Sequence, residues 1–560
     1  MRRFLFALAA PAALLAGCAT TSSSGIEPAG PPAADSAYGL FLAGNAALNA
    51  GRNADAARFL EYARAHGGDD PAVSEQAFTA ALMAGQVAKA ATLAPTGPTA
   101  SEPSKRMGRL VRTVALLGDG KGKAAQAELG GDPIGFPHRA AAALLAPWVA
   151  AAAGDAEGTV VRPQLRGDAA VDYFGQIGQA HLFERARRFD EAETNFKAVT
   201  SGENPNELAV LAYGGFLERR GRKADALALY DGALRRNPSS LAARTAKARA
   251  GGGRAPAAPT LKEGAAFALL APAATMISAR QEATALAYLR LSLSLDPQRN
   301  DAWLMLGDLL QTRGDLDGAR AAYGRPKPGS PEFPAAQAKL AWSYQSAGDK
   351  EGALRRARAA AEAGDFEGRI TLSDLLRAND RNDEAAAVLD TLIAEAKTPD
   401  WQLYYARGQA HERAGRWPQA EADLSKALSL RPDEPELLNY LGYGLIDRGE
   451  RLKEALAMVE KAVAANPRSG AMIDSLGWAH YRLGDYPKAI ELLEQAVELE
   501  AGDPEINSHL GDAYWMVGRK DEAVFQWRRV LTLDPDDKIR ADAERKLESG
   551  LGPAPRVAGP

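Results

Sequence analysis

The residue types that could carry catalysis are few and poorly spaced for it. Six histidines occur, His66, His138, His181, His411, His480 and His509, and none forms the His-Glu-x-x-His spacing that sets two zinc ligands and a base on one helical face. Gly118-Asp119-Gly120-Lys121-Gly122-Lys123 has the glycines and lysine of a phosphate cradle but neither its spacing nor the following Ser or Thr, and no strand precedes it. It reads as a hairpin turn. No Gly-x-Ser-x-Gly elbow is present, and acidic pairs such as Asp69-Asp70 and Asp536-Asp537 fall at turns, where charge is solvated. Catalytic, metal and cofactor chemistry thus have no support in the spacing. What remains is one thiol: Cys18 is the single cysteine of 560 residues.

Cys18 closes a segment made of Arg2-Arg3, an apolar stretch from Phe4 to Leu15, and Ala16-Gly17. A basic start, a short apolar run and small residues before the cut describe a secretory signal peptide, and the run is too short to span a bilayer as a helix. Leu15-Ala16-Gly17-Cys18 resembles the lipobox of bacterial lipoproteins. The resemblance implies cleavage after residue 17, acylation of Cys18 (palmitate-type chains on the thiol and the new amine) and a stable anchor, because two or three chains hold where one does not. Ala19 stands where an Asp tends to retain such proteins at the inner membrane. The implied location is the periplasmic face of the outer membrane.

The whole chain has 67 Lys and Arg against 71 Asp and Glu. Removing residues 1–17 takes away Arg2 and Arg3 and leaves 65 against 71, a net charge of −6. No basic stripe stands out, so nucleic acid is not an expected partner. With Cys18 acylated no thiol is left for disulfides, and stability must come from burial.

A chain of this length is expected to form several domains or a repeat array. Three C-terminal segments align: Arg407-Gly408-Gln409-Ala410, Leu476-Gly477-Trp478-Ala479 and Leu510-Gly511-Asp512-Ala513 each open a unit. A second glycine follows seven residues on (Gly415, Gly484, Gly518), then an alanine (Ala420, Ala489, Ala523) and a large apolar residue (Leu424, Leu493, Trp527). Gly408 to Gly442 and Gly477 to Gly511 both span 34 residues. Small residues let two antiparallel helices approach, the large residue fills the space beside them, and the second glycine ends the first helix with φ > 0. Pro432, Pro467 and Pro535 stop the second helix. The pattern resembles the tetratricopeptide repeat (TPR). Weaker copies at Gly307, Leu340, Gly214, Phe189, Gly44 and Phe78 extend it over most of the mature chain, with a loose match over residues 99–165.

The resemblance implies an all-α protein, a TPR α-solenoid in which helical hairpins stack into a right-handed superhelix. The expected organisation is a signal peptide at 1–17, a lipidated Cys18 and tether at 18–37, and a degenerate lobe at 38–250. A Gly/Pro linker at 251–260 then separates a second lobe at 261–535, with a polar capping helix at 536–548 and a tail at 549–560. The linker is placed there because the repeat slips from 34 to 59 residues across Gly251-Gly252-Gly253, Pro256 and Pro259.

In such arrays the first helix of each hairpin lines the concave face, where partners bind as peptides or helices. By that resemblance the binding residues are Tyr405, Gln409, Glu412, Asn439, Tyr443, Asp474, Trp478, Tyr481, Arg482, Asp512, Trp515 and Met516, aromatic and mixed in charge as recognition surfaces are. His411 and His480 take a place usually filled by a packing aromatic and are expected between helices. The implied function is a membrane-anchored scaffold or adaptor for envelope proteins or peptides, with no cofactor, small-molecule substrate or catalysis. The alternative is a regulator of an envelope enzyme, such as a peptidoglycan synthase or protease.

Overall fold

The structure, a computed structural model, describes residues 36–551 except 68–69, 203, 239 and 363–365. The signal segment, Cys18, nearly all of the tether and most of the tail lie outside the described residues. Among the described residues there are 31 helices and no strand. None of these helices is long and apolar enough to cross a membrane. They fall into two compact units divided between Gly318 and Ala319.

The helices pair into hairpins through one repeated contact. In the second unit Trp401–Arg413 pairs with Trp417–Leu430, Pro435–Arg448 with Leu452–Ala465, Gly470–Arg482 with Tyr486–Leu499, and Pro504–Met516 with Lys520–Val530. A Cβ at Gly408, Gly477 or Gly511 would lie 3.0, 2.8 or 2.6 Å from Leu424, Leu493 or Trp527, all of which are completely buried. Only a hydrogen fits there, and the facing side chain fills the space. The turn that follows requires left-handed backbone, which Gly415 (φ 73°) and Gly484 (φ 85°) adopt without strain. Arg187 and Asp380 hold the same conformation at φ 58° and 59° in turns that lack the glycine, which is why those repeats are hard to see in the sequence. Asp537–Ser549 closes the second unit as the capping helix, with Ala543 buried.

Residues 99–165 also form stacked helices: Glu102–Gly118, Gly122–Leu129, Arg139–Ala153 and Ala156–Thr159. The glycine-lysine segment at 118–123 is the turn of the first pair, with Gly120 left-handed at φ 75°.

The division into units differs from the sequence expectation. Residues 251–260 lie inside the first unit and do not separate two lobes. Leu241–Gly252 ends in this stretch, the chain doubles back, and Thr260 caps Leu261–Ala268 with a reciprocal pair: Glu263 N to Thr260 Oγ1 at 3.2 Å and Thr260 N to Glu263 Oε2 at 2.7 Å. The returning helix packs on Arg139–Ala153, where Gly264 sits flat against the buried Trp148. Glu282–Leu295 then packs against Pro71–Met83 and Glu102–Gly118. Arg290 Nε donates to the Met83 carbonyl at 3.1 Å, the Tyr288 hydroxyl meets His138 Nδ1 at 2.7 Å, and Lys262 Nζ donates to the Gly118 carbonyl at 2.6 Å. The 59-residue interval thus marks a fold-back that closes the first unit on its own earlier helices.

Gly264→Ala tests this closure. A Cβ there would lie 2.1 Å from the Trp148 ring, whose surroundings leave it nowhere to move. The substitution should destabilise the first unit by about 1–3 kcal/mol in denaturant unfolding. Gly252→Ala, whose Cβ meets nothing within 4 Å, should not. Equal effects at the two sites would contradict the closure.

Candidate functional site

The candidate face is built by the first helices of the last four hairpins, Trp401–Arg413, Pro435–Arg448, Gly470–Arg482 and Pro504–Met516. Asp400, Ser469 and Asp503 accept backbone N–H groups at the N-caps of the first, third and fourth, and the second opens on Pro435 with no side-chain cap. The caps and the glycine contacts hold the helices in register, so residues one repeat apart lie on neighbouring helices.

At the centre Trp478 is stacked between two rings, Tyr481 at 4.4 Å and 7° and His509 at 4.1 Å and 14°. His509 is buried and its Nδ1 lies 3.0 Å from both carboxylate oxygens of Asp474. Burial opposes charge on this imidazole, but the Asp474 carboxylate, with Glu505 and Asp512 nearby, outweighs burial and raises its pKa above 6.5. Tyr443 reaches across the Gly470–Arg482 helix to donate its hydroxyl to Glu505 Oε1 at 2.6 Å, and its ring centre lies 6.3 Å from that of His509. Toward the C-terminus Asp512 accepts from Trp527 Nε1 at 2.9 Å and from Lys546 Nζ of the capping helix at 2.8 Å. Lys546, 5% exposed, also bonds Ser508 and Asp542. Trp515 tilts against Trp527 and covers Gly550, with Met516 in the same cluster.

Toward the N-terminal side of this face, Tyr405 meets the edge of Tyr440 at 5.5 Å. Gln409 accepts from Arg377, and Glu412 accepts from Tyr440 and pairs with Arg448 at 3.5 Å. Arg482 donates to the Asp447 carbonyl at 2.5 Å. The Asn439 carbonyl oxygen is buried with no hydrogen-bond partner.

The twelve residues singled out from sequence therefore divide. Asp474, Tyr481 and Asp512 are buried and held inside the array, so they join repeats and do not present themselves to a ligand. The other nine, Tyr405, Gln409, Glu412, Asn439, Tyr443, Trp478, Arg482, Trp515 and Met516, keep partial exposure. His411 and His480 sit at hairpin ends: Arg416 Nε donates to His411 Nδ1 at 3.2 Å, and His480 Nδ1 lies 3.3 Å from Asp485. Sequence reasoning missed His509, Glu505 and Lys546. A signal existed: His509 lies 35 residues after Asp474 and Lys546 lies 34 after Asp512, one repeat in each case. Among the described residues no group of three or more His, Cys, Asp or Glu is placed to hold a metal.

Two outcomes follow. Because the folded pKa of His509 lies above 6.5, the pairing with Asp474 contributes fully below that pH and is lost as pH rises through the folded value. The difference in melting temperature between wild type and His509→Gln should be largest near about pH 5.5 and shrink as pH rises; a constant difference would contradict a charged pair. Lys546→Met strands the Asp512 carboxylate and should cost about 3–5 kcal/mol. Asp512→Asn added to Lys546→Met should recover much of that loss, and no recovery would contradict the pairing.

Comparison with known proteins finds the same repeat in parts of the chain. Tetratricopeptide repeat profiles match residues 394–534, 177–240 and 279–331. A TPR repeat-containing protein of Pseudomonas aeruginosa is 31% identical over 209 residues, 37% of this chain and 35% of that protein. The chain spans about a third of the length of the first curated relatives it matches. Among solved structures, the Cut9-Hcn1 hetero-tetramer of the APC/C aligns over 92% of this chain and 96% of that one, with 16% identity and a TM-score of 0.38. A tetratricopeptide repeat protein from Parabacteroides merdae aligns over 45% of this chain and all of its own, with 15% identity and a TM-score of 0.39. No enzyme family is indicated. Repeats of this kind generally mediate protein–protein interactions, and this chain carries tetratricopeptide repeats.

Proposed function

We propose that this chain is a lipid-anchored scaffold on the periplasmic face of the bacterial outer membrane, which holds an envelope protein or peptide on the first-helix face of its second unit. The observation that carries the reading is the floor of that face. Trp478 is fixed between Tyr481 and His509, and Tyr443 is tied to Glu505. Aromatic side chains held in one geometry before binding lose little entropy when a partner covers them. The other seven partly exposed residues add aromatic, acidic, amide and basic groups to this floor, the mixture that suits a polar rim around an apolar centre.

The anchor supplies the second half of the reading. Leu15-Ala16-Gly17-Cys18 has the residues at which a lipoprotein is cut and acylated, and Ala19 is not the Asp that favours retention at the inner membrane. With the first described helix starting at Ala37, nearly twenty residues follow the lipid, a reach of about 60 Å at full extension. A partner engaged by the array would then lie close to the inner leaflet.

Cys18→Ser should abolish incorporation of labelled palmitate and release the protein from the outer-membrane fraction; unchanged fractionation would overturn the anchor. Tyr443→Ala combined with Trp515→Ala, at retained helicity, should remove the proteins cross-linked to the wild-type chain in intact cells. Recovery of the same partners would place binding elsewhere.

A further inference from the structure

Residues 253–260 do more than connect two helices. Beyond Gly253 the segment Arg254-Ala255-Pro256-Ala257-Ala258-Pro259 has neither helix nor strand, and it runs back across the first helices of two hairpins, Glu207–Arg219 and then Ala169–Arg185. Three side chains hold it by its carbonyls. Lys223 Nζ donates to Gly253 O at 3.3 Å, Arg219 Nη1 to Pro256 O at 3.3 Å, and Arg185 Nη1 to Pro259 O at 3.2 Å. The Pro256 ring rests against Gly215, where a Cβ would lie 3.2 Å from its Cγ. Pro256 and Pro259 are partly buried, whereas Ala257 between them is exposed.

The three contacts fall on carbonyls three residues apart, at Gly253, Pro256 and Pro259. Arg185 and Arg219 are 34 residues apart, one repeat, at the last turn of successive first helices. The carbonyls they hold are three residues apart. A polyproline strand has three residues per turn and rises about 3.1 Å per residue, so positions i and i+3 present carbonyls on one side about 9 Å apart. One arginine from each of the two first helices thus holds one of two carbonyls three residues apart, the interval of one polyproline turn. Arg219 is aimed before any ligand is considered, since Glu184 grips it through Nε at 2.6 Å and Nη2 at 2.7 Å. Arg185 makes its bond to Pro259 from an exposed position.

We propose that residues 253–260 are an internal pseudo-ligand: they cover a site on Ala169–Arg185 and Glu207–Arg219 that accepts an extended Pro-x-x-Pro segment of another polypeptide, and they keep it closed until displaced. The contacts go to backbone carbonyls and to one proline ring, so the site reads the conformation and proline spacing more than side-chain identity. Covalent attachment gives the internal segment an effective concentration in the millimolar range, enough to exclude a weak competitor. This inference is independent of the membrane anchor and of the second unit's face.

The test uses the full mature chain and a fluorescent synthetic peptide with the sequence of residues 252–261. The wild-type protein should show little change in anisotropy. The double variant Pro256→Ser/Pro259→Ser, which loosens the internal strand, should bind the peptide more tightly by a factor on the order of a hundred. Adding Arg185→Ala to that background should remove most of the gain. If the double variant loses the wild-type helical signal, Pro259→Ala takes its place with the same expectations. Equal binding by wild type and the opened variant, no binding by the opened variant, or a gain indifferent to Arg185 would each overturn the proposal.

Discussion

The best-formed hairpins of the array depend on a hydrogen atom where other residues carry a side chain. Gly44 faces Leu60, Gly214 faces Tyr230, Gly408 faces Leu424, Gly477 faces Leu493 and Gly511 faces Trp527, and a Cβ at any of these glycines would lie 2.3–3.0 Å from the facing side chain. Each pair is sixteen residues apart, the distance along the chain from the middle of one helix, through a left-handed turn, to the middle of the next. That contact sets the separation of the two helices and leaves a hairpin with an apolar face it cannot cover. Stacking on the next hairpin covers it, so each repeat is stable through its neighbours.

Apolar stacking alone would leave register loose, and polar ties about one period apart supply it. Glu184 with Arg219, Gln345 with Asn379, Asp447 with Arg482, Asp474 with His509 and Asp512 with Lys546 each join one first helix, or the capping helix, to the one before. These groups are satisfied in pairs, which burial of polar atoms requires. The same ties use up part of the candidate face: Asp474 and Asp512 serve the array, and the aromatic rings above them inherit a fixed floor. In the first unit the equivalent arginines, Arg185 and Arg219, reach the chain's own returning strand.

What could be read from the sequence followed from locality. Hairpins, turn glycines and the small-to-large pairing are relations over seven to thirty-four residues, and Gly415, Gly484, Leu424 and Trp527 stand where the period puts them. The fold-back was not legible, because His138 with Tyr288 and Met83 with Arg290 are contacts across 150 and 207 residues that no period announces. There the slip at 251–260 was visible, but a slip looks the same whether the chain starts a new lobe or returns to an old one. Turns with Arg187 or Asp380 in place of glycine weakened the signal of repeats whose packing is otherwise ordinary. In the candidate site, sequence alone ranked residues by face and could not tell a ring offered to solvent from one already stacked, as Tyr481 is on Trp478.

Nearest-neighbour stacking through the glycine contact is the central claim, and hydrogen exchange of a Gly511→Val chain tests it most directly. A valine there drives atoms into the buried Trp527. Amide protection should fall most in Pro504–Met516, Lys520–Val530 and the capping helix, less in Tyr486–Leu499, and not in Trp401–Arg413. Uniform loss of protection across the second unit, or no loss at all, would contradict it.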